Sequence, residues 1–300
     1  MKNKVMTMSE AVSRYVKPGN MLFLGGAIHG TPNAAIAEIV RQRINHLSLI
    51  FVLNNVIPLT GEGLVDTVLT AYSMTEEKRS YALQRAREKF NVTVDFKEYS
   101  HFGLALALFA GYMGIPFMPT RSHLGSDMMT WNEHIKSIEC PFTGGQIGVV
   151  EAVVPDVGIV HVQRCDAEGN AQRWGSMGVD FEGINASRNV IITTEKIVDN
   201  DVIRRDPNRT LIPGFRVSAV VEQPFGAYPT HLAGCYNAGS AGFGGLNNEA
   251  DWETYIQHTI DGVKDWNEYL GHLKSEFGSD ILAKLAIKNP LMSEPVITGM

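Results

Sequence analysis

The sequence predicts an α/β protein: an open, mainly parallel sheet flanked by helices, closed by a helical C-terminal segment. Three observations point there. Short apolar runs alternate with helix-patterned stretches through the first third of the chain, the signature of crossovers between parallel strands. Leu47–Leu53 (LSLIFVL) is apolar almost throughout, as a strand covered on both faces must be. Leu22-Phe23-Leu24 runs into Gly25-Gly26 and then Gly30-Thr31-Pro32, a strand, a bare turn and a helix start. That junction puts a candidate site at the carboxyl end of the first strand, where backbone N–H groups meet an anion or an acyl oxygen.

The elements follow in order. Thr7 and Glu10 have capping-box spacing before a short amphipathic helix to about Val16. Lys17-Pro18-Gly19-Asn20 is a turn, Met21–Leu24 the first strand, and Thr31 the cap of the first long helix. Leu47–Leu53 and Val68–Tyr72 are strands, Thr75–Lys89 a polar helix and Val92–Phe96 a short strand. Ser100 opens a helix through Tyr112, and Pro116–Met118 is again strand-like. Lys136–Gln146 reads as an irregular excursion. Ile147–Val154 and Val157–Gln163 read as two strands of a hairpin joined at Pro155-Asp156. Val190–Thr194 and Phe215–Val221 add two strands. From Asn248 onward Trp252, Tyr255, Ile256, Ile260 and Val263 keep helical spacing. Residues 1–300 are read as a single domain, with the helical tail from about 248.

Composition excludes several classes. Hydrophobic residues make up 44% and charged residues 19%, enough for a large core and incompatible with global disorder. A net charge of −6 with no Lys/Arg run disfavours nucleic acid. Cys140, Cys165 and Cys235 are odd in number and lack CxxC spacing, so neither a disulfide framework nor a zinc ribbon is expected, and a reducing cytoplasm is. The first residues lack a signal-peptide core, and no run approaches the ~20 apolar residues of a membrane span. No HExxH-like spacing indicates a metal.

Candidate chemistry sits at the strand ends. There is no Gly-x-Ser-x-Gly elbow, and the cysteines read as structural. His101 follows Ser100 at a helix start, where a neutral imidazole donates to a carbonyl; the alternative is a histidine that only faces solvent. Glu62, between Gly61 and Gly63, is either a carboxylate nucleophile or a turn residue. Asn54 and Asn55 either orient a polar substrate or close a turn. Arg121–Asp127 suits a pocket rim or a plain loop, and Asp166–Ala171 a turn between strands.

Together these motifs resemble one family. Leu24-Gly25-Gly26 with Gly30-x-Pro32, Asn54-Asn55, Ile115-Pro116-Phe117-Met118-Pro119 and the Asp166–Ala171 turn occur in this order in α-type subunits of family I coenzyme A transferases. The A-subunit group of the glutaconate coenzyme A-transferases is the nearest likeness. It extends through Asp199–Gly214 (DNDVIRRDPNRTLIPG) and Val217–Gly226 (VSAVVEQPFG). The resemblance implies the transferase/phosphosugar-isomerase (NagB/RpiA-like) type of sheet. It implies coenzyme A as substrate, with no permanently bound cofactor. It also implies a β-type partner, in an α2β2 assembly, carrying the glutamate that attacks an acyl-CoA. In this chain Gly25, Gly26 and His101 would then stabilise the oxyanion, and Asn54, Asn55, Ser73, Gly125 and Ser126 would shape the acyl pocket. His101 stands where such transferases usually have Gln and related CoA-thioester ring-opening hydrolases have Glu. A hydrolase with His101 as acid/base is therefore the alternative, and a non-catalytic ligand-binding module a further one. Ala27 replaces a usual Phe, which implies a wider acyl pocket.

Overall fold

The computed structural model describes residues 3–26, 29–52, 57–72, 76–239 and 246–288. Thr7 accepts from the Glu10 N–H and Glu10 reaches back to Thr7, so the capping box starts α1 (Met8–Tyr15). β1 (Met21–Leu24) leads to α2 (Asn33–Arg41). Pro32, not Thr31, occupies the cap position of α2 and supplies no side-chain bond; proline presets the backbone there instead. β2 (Leu47–Phe51), α3 (Ile57–Gly61), β3 (Val65–Thr70), α4 (Glu76–Phe90) and β4 (Asp95–Glu98) follow. β3 and β4 lie about three residues away from the sequence reading, in opposite senses, because half-buried strands carry a weaker apolar signal than β2. α5 (His101–Met113) starts at Ser100, whose hydroxyl accepts from the Gly103 N–H, and ends at left-handed Gly114.

The next segment departs from expectation. β5 (Phe117–Thr120), α6 (Met128–Trp131), β6 (Ile135–Glu139) and β7 (Gln146–Glu151) build a separate antiparallel sheet, ordered β5-β7-β6. The supposed excursion at Lys136–Gln146 is thus a strand and a tight turn, closed by Cys140–Gly145 backbone bonds. β8 (Val157–Val162) does not pair with β7. The chain between them leaves one sheet and joins the other: Val153 N–H donates to Ala107 O and Asp156 N–H to Met21 O. β8 is buried at all six positions, which only a central strand provides.

β9 (Arg164–Cys165), β10 (Ala171–Gln172), α7 (Asp180–Ala186), β11 (Asn189–Thr194), α8 (Asn200–Arg204), β12 (Thr210–Ile212) and β13 (Ala219–Glu222) complete the α/β part. Residues 214–216 form a 3-10 turn, so the last strand is shorter than Phe215–Val221 suggested. β9, β10 and β12 make a small antiparallel sheet.

The main sheet is ordered β13-β11-β8-β1-β2-β3-β4, and every neighbouring pair is parallel. From β1 the chain winds to one edge through β2, β3 and β4; after the β5-β7-β6 sheet it winds the other way through β8, β11 and β13. The reversal point lies between β1 and β8, where open α/β sheets form a crevice at their carboxyl ends. Side chains alternate across β1: Leu22 and Leu24 join the core with α1 and α2, Phe23 the core beneath α5.

α9 (Glu249–Ile256), a π turn at Gln257–Asp261, α10 (Trp266–Phe277) and α11 (Ile281–Leu285) form the helical C-terminal segment. It is not an appendage. Trp252, Tyr255, Trp266 and Tyr269 are buried in the core that also contains α1, α2 and α3. Arg85 of α4 bonds both Glu249 and Glu62, tying this segment to the first half. Among the described residues no helix is long and apolar enough to cross a membrane.

Candidate functional site

The carboxyl ends of β1 to β4 present a row of strand ends: Gly25-Gly26 after β1, Val52 after β2, Tyr72 after β3, and Ser100-His101 after β4. Asn54, Asn55, Ser73 and Ala27 lie outside the described residues. His101 is exposed at the first position of α5, with its ring edge-on to Tyr72 at 6.4 Å. β1 and β4 are three strand spacings apart, about 14 Å. The glycine turn and the backbone of His101 therefore flank an elongated site rather than a single point.

The 121–127 loop is docked onto the start of α5. Fully buried His123 places Nε2 3.0 Å from Ser100 Oγ. That hydroxyl also accepts from Gly103 N–H at 2.9 Å, so Ser100 Oγ links the first turn of α5 to the imidazole. Nδ1 has no partner among the described residues, and burial lowers the imidazole's pKa, keeping it neutral. Only glycine at 103 admits this contact: a Cβ there would lie 2.3 Å from His123 Cε1. Ser126 Oγ donates to His123 O at 2.9 Å, so its hydroxyl hydrogen is used within the loop and its oxygen is left to accept. Gly125 has φ +76° and open space where a side chain would project.

The glycine turn differs from expectation in one respect. Gly25 N–H continues the sheet by donating to Ile159 O at 2.9 Å, and Gly26 N–H donates to Asp180 Oδ1 at 2.9 Å. Both are committed inside the protein, so in this arrangement neither is a donor to a thioester oxygen. Asp180, at the start of α7, is completely buried, which raises its pKa against the opposing pull of Arg173 and the Gly26 N–H.

Other ionisable groups at the crevice were not legible in the sequence. His29 Nε2–H donates to Ser176 O at 2.8 Å, and its ring stacks on His231 at 5.3 Å. Burial, with Arg173 and His231 nearby, holds its pKa down at about 4, the Ser176 carbonyl opposing. His161 on β8 lies 2.8 Å from Thr193 Oγ1 and 2.7 Å from Glu195 Oε1. Glu195 also accepts from Phe225 N–H at 3.0 Å.

Glu62 follows α3 at the opposite, amino end of β3. It is 5% exposed and bonded by Arg43 at 2.8 Å and Arg85 at 2.8 Å. It is a structural ion pair, not an attacking group. Asp166 accepts from Glu168 N–H, Asn170 N–H and the Asn170 and Asn200 side-chain amides. Burial opposes ionisation there, but these donors prevail and hold its pKa low, as a turn-organising carboxylate requires. Burial pushes the Cys165 and Cys235 thiols up to about 12, unsuited to nucleophilic work. Among the described residues no group of three or more His, Cys, Asp or Glu is placed to hold a metal ion.

Residues 5–223 match the family model described as coenzyme A transferase. The A-subunit of the 3-oxoadipate CoA-transferase of Pseudomonas knackmussii is 34% identical over 274 residues, covering 89% of this chain and 96% of that protein. The A-subunit of the glutaconate CoA-transferase of Acidaminococcus fermentans is 29% identical over 296 residues, covering 90% and 92%. The crystal structure of glutaconate coenzyme A-transferase from Acidaminococcus fermentans superposes with a TM-score of 0.82 at 27% identity, covering 95% of this chain and 96% of that one.

Proposed function

The chain belongs to the coenzyme A transferase family, and from that membership we propose that it is the α-type subunit of a heteromeric enzyme moving coenzyme A between a small dicarboxylic acyl-CoA and a free carboxylate. The partner subunit supplies the attacking glutamate. The observation that carries this reading is the state of the buried carboxylates. Glu62, Asp166, Asp180 and Glu195 each hold two or more donors or cations. Among the exposed groups at the row of strand ends is a hydrogen-bond donor, His101. Both relatives are named as A-subunits, which supports a second chain in the assembly, of α2β2 type. Their named substrates, 3-oxoadipate and glutaconate, support a dicarboxylic acyl group. Three free cysteines support a reducing, cytoplasmic setting.

In this reading the partner's carboxylate attacks the thioester carbonyl. His101 donates to the oxyanion as charge develops, and coenzyme A thiolate leaves an acyl–glutamyl anhydride. The thiolate then attacks the glutamyl carbonyl, releasing the acyl carboxylate and leaving a glutamyl thioester. An incoming carboxylate reverses the sequence. Gly125 and Ser126, docked beside α5 through His123, line the acyl end together with Asn54, Asn55 and Ser73. Gly25 and Gly26 shape the far wall by backbone alone.

The test is the co-purified complex given an acyl-CoA and a carboxylate acceptor. New acyl-CoA is expected; free coenzyme A without acceptor would mean hydrolysis and overturn the reading. Loss of one oxyanion donor costs on the order of 10²–10³ in rate. His101→Ala is expected to slow transfer by about that much with assembly intact. A wild-type rate in that complex would remove His101 from the chemistry.

A further inference from the structure

The crevice between β1 and β8 contains a buried ion pair that grips the glycine-rich connection at both ends. Arg173, just past β10, and Asp180, at the start of α7, are each 2% exposed or less. Asp180 Oδ1 accepts from Gly26 N–H at 2.9 Å. Arg173 Nη2 lies 2.9 Å from Asp180 Oδ2 and donates to His29 O at 3.1 Å, while Nη1 donates to His161 O at 2.6 Å. The pair thus joins where the chain leaves β1, where it turns toward α2, and the end of β8. Two glycines make the space: a Cβ on Gly25 would lie 3.0 Å from Asp180 Oδ1, and one on Gly30 3.0 Å from Arg173 Nη1.

Plain core stability is a poor reason for this pair. Two charges fully out of water are replaceable by apolar groups of similar volume with little loss of stability. Arg173 Nε has no partner among the described residues, and the ionic contact at Oδ2 is not aligned as a hydrogen bond. What the pair does that apolar groups cannot is bond three backbone positions from three elements at once. Side chains just past β10 and at the start of α7 thereby hold the exit of β1, the end of β8 and the approach to α2 in one register.

We propose that Arg173 and Asp180 are positioning residues for acyl-CoA binding, holding Gly26 and the His29 carbonyl in place as part of the site's wall. The inference rests on the transferase reading above. The pair touches no reacting atom; it acts through Gly26 and His29.

The experiment uses the complex carrying the double variant Arg173→Met, Asp180→Leu, which removes both charges together. Amide exchange of residues 25–31 is measured alongside steady-state transfer. Exchange there is expected to quicken at least ~10-fold, because Gly26 N–H loses its acceptor. Transfer kcat/KM is expected to fall on the order of 10²-fold, as for a misplacement of about 1 Å. KM for acyl-CoA should rise while assembly and cooperative melting persist. Arg173→Lys keeps the charge but reaches one carbonyl instead of two, and should fall between wild type and the double variant in both readouts. It also serves if the double variant does not fold. Unchanged exchange at 25–31, or kcat/KM within about twofold of wild type in a folded complex, overturns the proposal. Failure of the wild-type complex to transfer overturns the functional reading instead, and leaves the exchange result to judge the pair.

Discussion

Gly103→Ala is the sharpest probe of how the site is assembled. On an exposed helix surface, alanine would be better than glycine by roughly 0.8–1 kcal/mol. Here the new methyl would stand 2.3 Å from His123 Cε1 and 2.4 Å from Nε2. The imidazole must retreat by about 1 Å to reach ordinary contact distance. It is fully buried, so the loop that carries it must move as well. Overpacking of this kind costs about 1–3 kcal/mol, and the broken Ser100–His123 hydrogen bond roughly another 0.5–1.5. After the helix gain the net loss is about 1–3 kcal/mol, a fall of several degrees in melting temperature. The effect on transfer should be larger. Gly125 and Ser126 move with His123; if they line the acyl end as proposed, a displacement of about 1 Å can cost on the order of 10²-fold. The assay is kcat/KM for transfer by the complex, with thermal melting in parallel. Wild-type kcat/KM together with melting within about 1 °C of wild type would refute the docking argument.

Two further outcomes follow from the described geometry. Trp252→Ala removes a completely buried indole from the interface between α9 and α3, and should destabilise by about 3–5 kcal/mol in chemical denaturation, far more than deletion of an appended tail would. His29 titrates at about 4 when folded against 6.5 ordinarily, because burial, Arg173 and His231 disfavour its charge more than the Ser176 carbonyl favours it. Protons therefore prefer the unfolded chain: this stability is whole above pH 6.5 and is lost as pH falls toward 4, up to about 3 kcal/mol. His29→Gln should flatten the melting-temperature profile across that window, and an unchanged slope would show that His29 does not control it.

The architecture was legible where one physical rule dominated. β2 announced itself because a strand covered on both faces has no polar alternation, and α5 because a serine cap preceded an apolar run. The error at Pro155-Asp156 came from reading adjacency as pairing. A proline-containing turn between two apolar strands is the same signal whether the strands pair or pass into different sheets. Only the burial of β8 on both faces separates the cases. Of the candidate site, the position of Gly25, Gly26 and His101 at strand ends was legible, since chain order alone places them there. Which N–H groups stay available was not legible, because Asp180 is 154 residues from Gly26 and nothing in QRWGSMGVD betrays a partner. The Gly103–His123 notch was hidden for the same reason: within HFGLALALFAGYM one small residue looks like another.

The division between buried and exposed ionisable groups has a chemical consequence. A carboxylate attacks a thioester with a lone pair, and every donor it accepts lowers that pair's energy. Asp166 accepts four hydrogen bonds, Glu62 binds two guanidinium groups, Glu195 bonds His161 and the Phe225 N–H, and Asp180 bonds Gly26 and Arg173. Freeing any of them would leave a buried donor or cation unmatched, at about 1–5 kcal/mol before any bond is made. The same commitments that make them poor nucleophiles make them good struts. Asp180 and Glu195 brace the crevice beside β1 and β8, while His101 is exposed at the start of α5. In the proposed reading, a chain that commits these carboxylates to shape receives its nucleophile from the partner subunit.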